Sequence, residues 1–308
     1  MKAMILYLDC DTGVDDALAL ALLLATPHVE IAGIGTVSGN TSAGQAATNT
    51  LNLLALAGRD DVPVAVGERH PLAGAFDGGA AVVHGDNGIG GVDLPAAAHG
   101  PIDARAADLL VELARAHPGE LHVLATGPLT NLARALIIEP RLPDLVAGVT
   151  AMGGAVRVPG NITGHAEANI ANDPEAADAV FAAPWPVTLV PLDVTMRNTF
   201  DEADRAALRA AGTPLQVALA DMLGGYFDYY EPVLGVREVP LHDPLAAGVL
   251  TGDLEPADTP LLGLRVDTGT GPERGRILED AGANHRVRVV FTLARPAGRI
   301  IRTRISGL

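Results

Sequence analysis

The chain has 308 residues, 48% of them hydrophobic and 19% charged, and a chain of this length buries most of its apolar surface on folding. The apolar content and the lack of long polar or repetitive tracts exclude an intrinsically disordered protein. The formal net charge is −16, from 21 basic and 37 acidic residues, so the surface repels the phosphate backbone of nucleic acids. A single cysteine, Cys10, excludes an intramolecular disulfide and a cysteine-built metal site.

No segment of the sequence is apolar for long enough to predict a membrane span. The longest apolar run covers residues 17–25, whereas a spanning helix needs about 20 residues. Near the N-terminus, Asp9 and Asp11 come too early for the apolar core of a signal peptide. We therefore expect a soluble, cytoplasmic protein with no membrane partner.

Short apolar runs alternate with longer segments of helical character along most of the chain. In chain order the pattern predicts a strand at 4–8, a buried helix at 15–26, a strand at 29–37, a helix at 41–57, a strand at 62–66 and, after a glycine-rich loop at 78–91, a helix at 104–117. It continues with a strand at 121–125, a helix at 128–138, a strand at 145–152, a helix that begins at 173–175, a strand at 187–191, helical character over most of 201–230 and a helix that begins at 242–244. The tail segments 287–293 and 300–305 alternate apolar and polar residues as strands do.

This order of elements predicts the fold class. Strands separated by helices form βαβ units, which pack as a mainly parallel central sheet with helices on both faces. No linker, break in composition or internal repeat divides the sequence, so we expect one α/β domain over residues 1–308. Open sheets of this kind bind their ligands at the carboxyl ends of the strands.

Four aspartates lie within eight residues after the first predicted strand: Asp9, Asp11, Asp15 and Asp16. Helix capping explains one or two of them, because acidic groups interact favourably with a helix N-terminus. Four carboxylates this close raise one another's pKa unless a cation lies among them. Oxygen ligands select Ca²⁺ or Mg²⁺ over zinc, so the turn predicts a site for one of these ions.

A second chemistry is compatible with the same turn. An apolar strand that ends in Asp-x-Asp also opens the haloacid dehalogenase-like phosphotransferases, in which the first aspartate, here Asp9, is the nucleophile. That pattern has Thr or Val where this chain has Gly13, and it uses a downstream basic residue, usually lysine. Lys2 is the only lysine here, which weakens this alternative, although an arginine is able to take the role.

Residues 8–17, Leu-Asp-Cys-Asp-Thr-Gly-Val-Asp-Asp-Ala, resemble the N-terminal signature of the nucleoside hydrolases, the family of inosine-uridine-preferring nucleoside N-ribohydrolases. Later segments resemble further motifs of that family in the same order: 37–40, 125–131, a sugar-binding block made of 152–154, 160–161, 167–169 and 173–177, and 241–244. The ordered set is far more specific than one motif. The resemblance implies an open, Rossmann-like α/β fold and Ca²⁺-dependent hydrolysis of ribonucleosides to ribose and free base.

The resemblance also implies roles for single residues. The Ca²⁺ ligands are Asp11, Asp16, Asp243 and the backbone carbonyl of Thr126. A metal-bound water is the nucleophile, and Asp11 is the base that takes its proton. This agrees with the chemistry, because cleavage of a ribosyl C–N bond passes through an oxocarbenium-like state that needs an activated water on one face.

The nucleoside itself is expected to contact a wider set of residues from the same motifs. His242 would protonate or hydrogen-bond the leaving base, and His84 would close over it from the glycine-rich loop. The ribose would be held by Asp15, Asn169 and Asp243 at the 2′- and 3′-hydroxyls, by Asn161 and Glu167 at the 5′-hydroxyl, by Asn40 beside the metal, and by Met152 in the sugar-binding block.

Each of these residues also has a structural interpretation. Asp243 stands before a proline, as a helix N-cap does, and Thr126 opens a strand-to-helix turn. Asn161 follows a glycine, as in an ordinary turn. Taken alone, His242 is a structural histidine, and His84 belongs to a surface loop. The two roles of Asp243 are able to coexist.

Two features depart from the family pattern or remain open. Ala168 stands where family members often carry an aromatic residue, so one wall of the 5′ or base pocket is expected to be open. Tyr226, Phe227, Tyr229 and Tyr230 are concentrated ahead of His242, where they serve either to stack on a nucleobase or to pack a helix. The sequence therefore does not decide between purine and pyrimidine substrates.

A third interpretation is a calcium-dependent nucleoside- or sugar-binding protein without catalysis. The presence of the proposed base, Asp11, argues against it. The resemblance implies a small-molecule nucleoside as the binding partner and a homodimer or homotetramer as the assembly.

Overall fold

The computed structural model describes residues 3–308, and its centre is a β-sheet. The strands over these residues are β1 Met4–Cys10, β2 Val29–Thr36, β3 Val64–Val66, β4 Leu121–Ala125, β5 Val146–Met152, β6 Val187–Val190, β7 Thr199–Asp201, β8 Glu238–Pro240, β9 Pro256–Asp258, β10 Leu261–Leu262, β11 Leu264–Val266, β12 Ile277–Glu279, β13 Val287–Val289 and β14 Thr292–Leu293. Each of the strands predicted between residues 4 and 191 is present, with bounds that differ by at most a few residues.

Eight of these strands form one sheet in the order β10-β13-β6-β5-β4-β1-β2-β3. Every neighbouring pair is parallel except β10 and β13, which pair antiparallel at one edge. The other six strands form antiparallel pairs, β11 with β12, β9 with β14 and β7 with β8. The predicted mainly parallel sheet is confirmed.

Helices connect the strands. Their bounds are α1 Val14–Leu24, α2 Ala43–Leu56, α3 Ala81–His84, α4 Ala106–Ala116, α5 Thr130–Ile138, α6 Leu142–Leu145, α7 Ala168–Asn172, α8 Pro174–Ala182, α9 Leu192–Thr195, α10 Glu202–Ala211, α11 Pro214–Leu234, α12 His242–Thr251 and α13 Gly298–Ser306. Within residues 3–308, none of them is both long and apolar enough to cross a bilayer.

Two apolar clusters cover the two faces of the sheet. Successive residues of a strand point to opposite faces, and in β1 Leu6 and Leu8 belong to one cluster while Tyr7 belongs to the other. The first cluster contains buried residues of α1, α11 and α12, and the second those of α4, α5 and α8. Both faces are therefore covered by helices, as the sequence predicted.

The predicted strand at 300–305 is wrong, because these residues lie in α13. Ile301 and Ile305 are one helical turn apart, and both are fully buried where α13 packs against α1 and α10. A short apolar run does not distinguish the periods of helix and strand, so tertiary packing decides the outcome.

Two predicted helix starts are also displaced. α5 begins at Thr130 rather than at Pro128, because the turn before it packs tightly against the acidic loop: a Cβ at Gly127 would lie 3.1 Å from Asp11 Cβ. Asp243 lies in the first turn of α12, whose N-cap is Leu241, so its interpretation as the N-cap is wrong. The backbone N–H of Leu241 donates to the carbonyl of Asn198, and α12 begins two residues before the position that an N-cap at Asp243 would give.

Candidate active site

The carboxyl ends of β1, β2 and β4 meet at one edge of the sheet. The turn after β1 contains Asp11 and leads into α1, whose first turn contains Asp15 and Asp16. The segment after β2 contains Asn40, and Thr126 directly follows β4. Parallel strands end at the same edge, so residues far apart in the sequence become neighbours there.

A cluster of buried carboxylates lies at this edge. Asp15, Asp16 and Asp243 each place a carboxylate oxygen within 4.8 Å of the others, and all three side chains are buried. Asp11 is not part of this group of three, but it is buried beside Asp16, whose charge helps to raise its pKa. Three of the four predicted metal ligands are therefore buried carboxylates in the same region: Asp11, Asp16 and Asp243.

Asp11 is held by the residues that follow β2. Its Oδ2 accepts a hydrogen bond from the backbone N–H of Asn40 at 2.6 Å, and its Oδ1 accepts from Asn40 Nδ2 at 3.1 Å. A Cβ at Gly39 would lie 2.0 Å from Asp11 Oδ2, so only glycine permits this approach of the two loops. The orientation of the Asp11 carboxylate is therefore determined by the loop after β2.

Asp16 is bound to the residues after β4. Its Oδ1 accepts from the hydroxyl of Thr126 at 2.7 Å, and its Oδ2 accepts from the backbone N–H of Gly13 at 2.7 Å. The backbone carbonyl of Thr126 accepts from Asn169 Nδ2 at 2.8 Å, which links the loop after β4 to α7. These contacts bring the predicted metal-binding and ribose-binding residues into one network.

The ionisation of the cluster depends on burial and on mutual repulsion. Burial raises the pKa of Asp15 to about 6. Burial, followed by the charges of the neighbouring carboxylates, raises the pKa values of Asp11 and Asp243 well above the usual range. The fully charged form of the cluster is therefore unfavourable unless positive charge is supplied.

The side chains present are suited to a hard divalent cation. Asp15 Oδ1 is buried and has no hydrogen-bond partner among residues 3–308, which leaves an acceptor available for a cation or a substrate hydroxyl. The donor set consists of carboxylate and carbonyl oxygens, the ligands preferred by Ca²⁺ and Mg²⁺. The cluster therefore fits one of these ions, and its composition does not distinguish between them.

Residues after β5 form the adjoining wall. Glu167 caps α7: its Oε2 accepts from the backbone N–H groups of Gly154 and Ile170, and its Oε1 accepts from that of Asn169. Asn161 Oδ1 accepts from the backbone N–H of Ala168 at 3.0 Å. The side chains of Glu167 and Asn169 are both buried in this wall.

Aromatic residues of α11 form the opposite wall. The hydroxyl of Tyr226 donates to Asp15 Oδ2 at 3.3 Å, and the hydroxyl of Tyr230 lies 3.1 Å from His242 Nε2. The rings of Tyr226 and Tyr230 pack edge to face with centroids 4.9 Å apart. Phe227, in contrast, is fully buried in the apolar core. The aromatic group therefore divides between wall and core, a division that the sequence left open.

Both predicted histidines are buried and neutral. Burial lowers the pKa of His84 to about 4 and that of His242 to about 3. His84 Nδ1 accepts from the backbone N–H of Val14 at 3.1 Å, so His84 contacts the first turn of α1 and is not a surface-loop residue. His242 Nδ1 lies 2.9 Å from the hydroxyl of Thr195. Thr195 was missed, although it follows β6 near the same edge of the sheet.

A cavity of about 380 Å³ opens over these groups. Asp11 and Asp16 lie behind its surface, whereas ten other predicted residues line it: Asp15, Asn40, His84, Thr126, Met152, Asn161, Glu167, Asn169, His242 and Asp243. Several apolar residues that the sequence did not predict also line the cavity, among them Pro159, Leu192, Met196 and Val233. They lack a chemical signature, and only their position shows that they border the cavity.

Asp9, the nucleophile of the alternative phosphotransferase, does not line this cavity. It is fully buried, where its carboxylate accepts from Asn131 Nδ2 at 3.1 Å and contacts the hydroxyl of Tyr7 at 2.9 Å. A nucleophile has to reach its substrate, so the position of Asp9 argues against the phosphotransferase mechanism.

Comparison with known proteins gives a consistent family assignment. The family model for inosine-uridine preferring nucleoside hydrolases matches residues 6–297. The chain is 39% identical over 241 residues to uridine nucleosidase 1 of Arabidopsis thaliana, covering 78% of this chain and 72% of that protein. It is 38% identical over 237 residues to the pyrimidine-specific ribonucleoside hydrolase RihA of Citrobacter koseri, covering 77% and 75% of the two chains.

Among solved structures, a purine-preferring ribonucleoside hydrolase from Gardnerella vaginalis superposes on this chain with a TM-score of 0.93. The two are 34% identical, and the match covers 98% of each chain. The similarity therefore extends over the sheet, the cavity and the helices that surround it.

Proposed function

This chain belongs to the inosine-uridine preferring nucleoside hydrolase family, whose members hydrolyse the N-glycosidic bond of ribonucleosides, and we propose that it does so with Ca²⁺ held among its buried aspartates and Asp11 as the general base. The observation that carries the proposal is the group formed by Asp15, Asp16 and Asp243 at the cavity, with an unpartnered oxygen on Asp15. Neutralisation by a cation offsets the repulsion of this group.

The proposed ligands of the cation are Asp11, Asp16, Asp243 and the carbonyl of Thr126. When bound, a divalent cation lowers the pKa of a coordinated water and orients the ribose hydroxyls. The Thr126 carbonyl now accepts a hydrogen bond from Asn169, which is able to turn its amide toward the ribose instead. Asn40 fixes the orientation of Asp11 on the side of the attacking water.

Hydrolysis requires a proton acceptor on one face of the ribose. In our proposal, Asp11 takes a proton from water while the water oxygen bonds to C1′ and the C1′–N bond breaks. The electron pair of that bond leaves with the base, and the ribose passes through an oxocarbenium-like state. Asp15, Asn169 and Asp243 hold the 2′- and 3′-hydroxyls, while Asn161 and Glu167 lie at the 5′ end.

The departing base requires a proton donor on the side of the ribose opposite the attacking water. Because the pKa of His242 is lowered to about 3, its imidazolium form is scarce near neutral pH. Burial also raises the pKa of the Tyr230 hydroxyl, so neither group is a strong acid alone, and we propose that the hydrogen-bonded pair of His242 and Tyr230 together delivers the proton to the leaving base. Tyr226 and His84 would border the base, since both line the cavity, where their rings pack against each other with centroids 5.4 Å apart.

The related proteins span both classes of base: one sequence relative is a uridine nucleosidase, another is a pyrimidine-specific ribonucleoside hydrolase, and a structural relative is purine-preferring. The proposal therefore covers ribonucleosides of either class. We further propose a cytoplasmic homodimer or homotetramer, as the family resemblance implies, and sedimentation equilibrium tests the assembly.

The direct test is release of ribose from uridine, cytidine, inosine and adenosine, with and without EDTA. We expect turnover of at least one nucleoside, loss of turnover in EDTA and recovery with Ca²⁺. Turnover that persists in EDTA would remove the cation from the mechanism. Failure to release ribose from all four, with Ca²⁺ shown to be bound, would favour a binding protein.

A further inference from the structure

The ring of His242 is held between two hydroxyl groups. Its Nδ1 lies 2.9 Å from the hydroxyl of Thr195, and its Nε2 lies 3.1 Å from the hydroxyl of Tyr230. Both distances are in the ordinary range of a hydrogen bond. His242 and Thr195 are buried, with exposed fractions of 4% and 0%, so a polar hydrogen left without an acceptor between them is unfavourable.

The hydroxyl of Thr195 determines which nitrogen of the ring carries the hydrogen. Within the described residues 3–308, His242 Nδ1 is the one hydrogen-bond partner of this hydroxyl. If Nδ1 were protonated, the Thr195 oxygen would accept that hydrogen, and the hydrogen of the hydroxyl itself would be buried without an acceptor. If Nδ1 is unprotonated, the hydroxyl donates to it and both groups are satisfied. The contact therefore favours the imidazole form with its hydrogen on Nε2.

This form sets the direction of the hydrogen bond to Tyr230. A hydrogen on Nε2 is donated to the tyrosine oxygen, so the hydrogen of the tyrosine hydroxyl has to point elsewhere. Among residues 3–308 it has no carboxylate or carbonyl acceptor, and Tyr230 lines the cavity. The opposite form of the ring would turn this hydrogen toward His242 and away from a ligand. The form of the ring thus decides whether Tyr230 offers a donor to a leaving base.

Backbone hydrogen bonds hold Thr195 at this distance from His242. The carbonyl of Thr195 accepts from the backbone N–H of Asn198 at 3.1 Å, and the carbonyl of Asn198 accepts from that of Leu241 at 2.9 Å. Leu241 directly precedes His242 in the chain. Asn198 Nδ2 also donates to the carbonyl of Val194 at 2.9 Å, which attaches Asn198 to α9. The contact between Thr195 and His242 is therefore part of the fold and does not require a bound ligand.

We propose that Thr195 is a positioning residue for hydrolysis: it donates to His242 Nδ1, keeps the ring hydrogen on Nε2 and so turns the Tyr230 hydroxyl toward the leaving base. The inference rests on the proposed function, because it takes the base to leave beside Tyr230. As the C1′–N bond breaks, the proton of Tyr230 passes to the base, the Nε2 hydrogen stabilises the charged tyrosine oxygen, and that oxygen regains a proton from water. Thr195 does not line the cavity, so it acts through His242.

The first test observes the ring directly, by nitrogen NMR of the Ca²⁺-loaded protein with isotope-labelled histidines. A ring nitrogen that carries a hydrogen and one that does not give well separated signals, and the signals lost in His242→Gln identify the ring. We expect Nδ1 of His242 to be unprotonated in the wild type and in Thr195→Ser, which keeps the hydroxyl. Thr195→Val has nearly the same shape without the hydroxyl, and it should lose this preference.

The second test compares two leaving groups. Thr195→Val should lower kcat for a nucleoside about tenfold, because the Tyr230 hydrogen is no longer held toward the base. For p-nitrophenyl riboside, whose leaving group needs no protonation, kcat should stay within about twofold of the wild type. Thr195→Ser should restore turnover of the nucleoside to within about threefold. The control is Thr199→Val, which removes a hydroxyl that donates to Glu238 outside the cavity and should change neither rate.

The outcomes separate this inference from the function on which it rests. If Nδ1 of His242 is protonated in the wild type, or if Thr195→Val keeps full turnover of the nucleoside, the inference is wrong and the hydrolase proposal stands. Equal losses on both leaving groups, or a loss in Thr195→Ser as large as in Thr195→Val, would assign Thr195 a packing role and overturn the inference as well. If the wild type hydrolyses no nucleoside while Ca²⁺ is bound, the proposed function itself fails.

Discussion

The aspartates of the acidic turn are close in sequence but have different environments. Asp9 points into the second apolar cluster, where it contacts Tyr7 and Asn131, and burial raises its pKa to about 7. Asp11 points to the sheet edge, where Asn40 orients it. The direction of each side chain, and not its residue type, separates a structural carboxylate from a candidate base.

Replacement of Asp11 by alanine should abolish turnover and leave the fold intact. A general base contributes about 10²- to 10⁴-fold to rate, and removal of a buried carboxylate also relieves repulsion within the cluster. We expect kcat to fall by about 10³-fold, with a melting temperature in EDTA equal to or above that of the wild type. Ribose release and thermal unfolding measure the two effects, and turnover within about tenfold of the wild type would exclude Asp11 as the base.

Tyr230→Phe tests the delivery of a proton to the leaving base. The variant loses the hydroxyl that lies 3.1 Å from His242 Nε2, so kcat for a nucleoside should fall about 10²-fold. A riboside whose leaving group needs no protonation, such as p-nitrophenyl riboside, should keep most of its rate. Tyr229→Phe is the matched control, because no hydrogen bond is found for the Tyr229 hydroxyl within residues 3–308. Equal losses on both substrates would assign Tyr230 a packing role instead.

At the scale of elements, short segments position the site more than the long helices do. α9 contributes Asp193, whose carboxylate accepts from the backbone N–H groups of Val156 and Arg157, both at 2.9 Å. This pair of bonds attaches the segment after β5 to the end of β6. The same segment leads to Asn161, so α9 acts on the 5′ end of the cavity from a distance.

Asp193→Asn should therefore affect substrate binding more than chemistry. The variant replaces one acceptor by a donor and leaves a backbone N–H without a partner, which costs about 1–3 kcal/mol of stability. We expect KM to rise severalfold with a smaller change in kcat. Glu279→Gln is the control, since it breaks only the exposed ion pair of Arg157 and should change neither constant. An unchanged KM in Asp193→Asn would contradict the positioning role.

At the scale of the whole molecule, the buried carboxylates make stability depend on both cation and pH. Their pKa values are higher in the folded protein than in the unfolded chain, as for Asp15 at about 6. Such groups stabilise the fold at low pH, and that contribution is lost as pH rises through the folded pKa. The buried histidines, His84 and His242, have the opposite effect, because their pKa values of about 4 and 3 are lower in the folded protein than in the unfolded chain. They make the fold less stable only below about pH 6.5, where the histidines of the unfolded chain bind protons.

We accordingly predict that, in EDTA, the melting temperature falls as pH rises from about 6.5 to 8, a range in which histidines are neutral in both states. Ca²⁺ should raise the melting temperature at every pH and flatten this fall, because it binds the charged carboxylates of the folded state. Differential scanning calorimetry at several pH values measures both effects. A melting temperature that is independent of Ca²⁺ at pH 8 would argue against the metal site.

Residue identity and short-range spacing were sufficient to predict the parallel sheet, the family and the cluster of aspartates. The reason is local: buried strands, helix starts and the motif after β1 each leave a signal within a few neighbouring residues. Asp173, for example, caps α8 as predicted, with its Oδ1 accepting from Ala176 at 3.0 Å. These features do not require knowledge of distant contacts.

Only the tertiary structure decided which groups face the cavity and in what chemical state. Tyr226 and Phe227 are adjacent in sequence, yet Tyr226 lines the cavity and Phe227 packs only into the core, because successive residues of a helix point about 100° apart and the packing of α11 decides which direction faces the cavity. The helical state of 300–305, the amide orientation of Asn161 and the neutrality of His242 likewise follow from contacts between distant segments. Burial and hydrogen bonding across the fold, which no local pattern records, determine these properties.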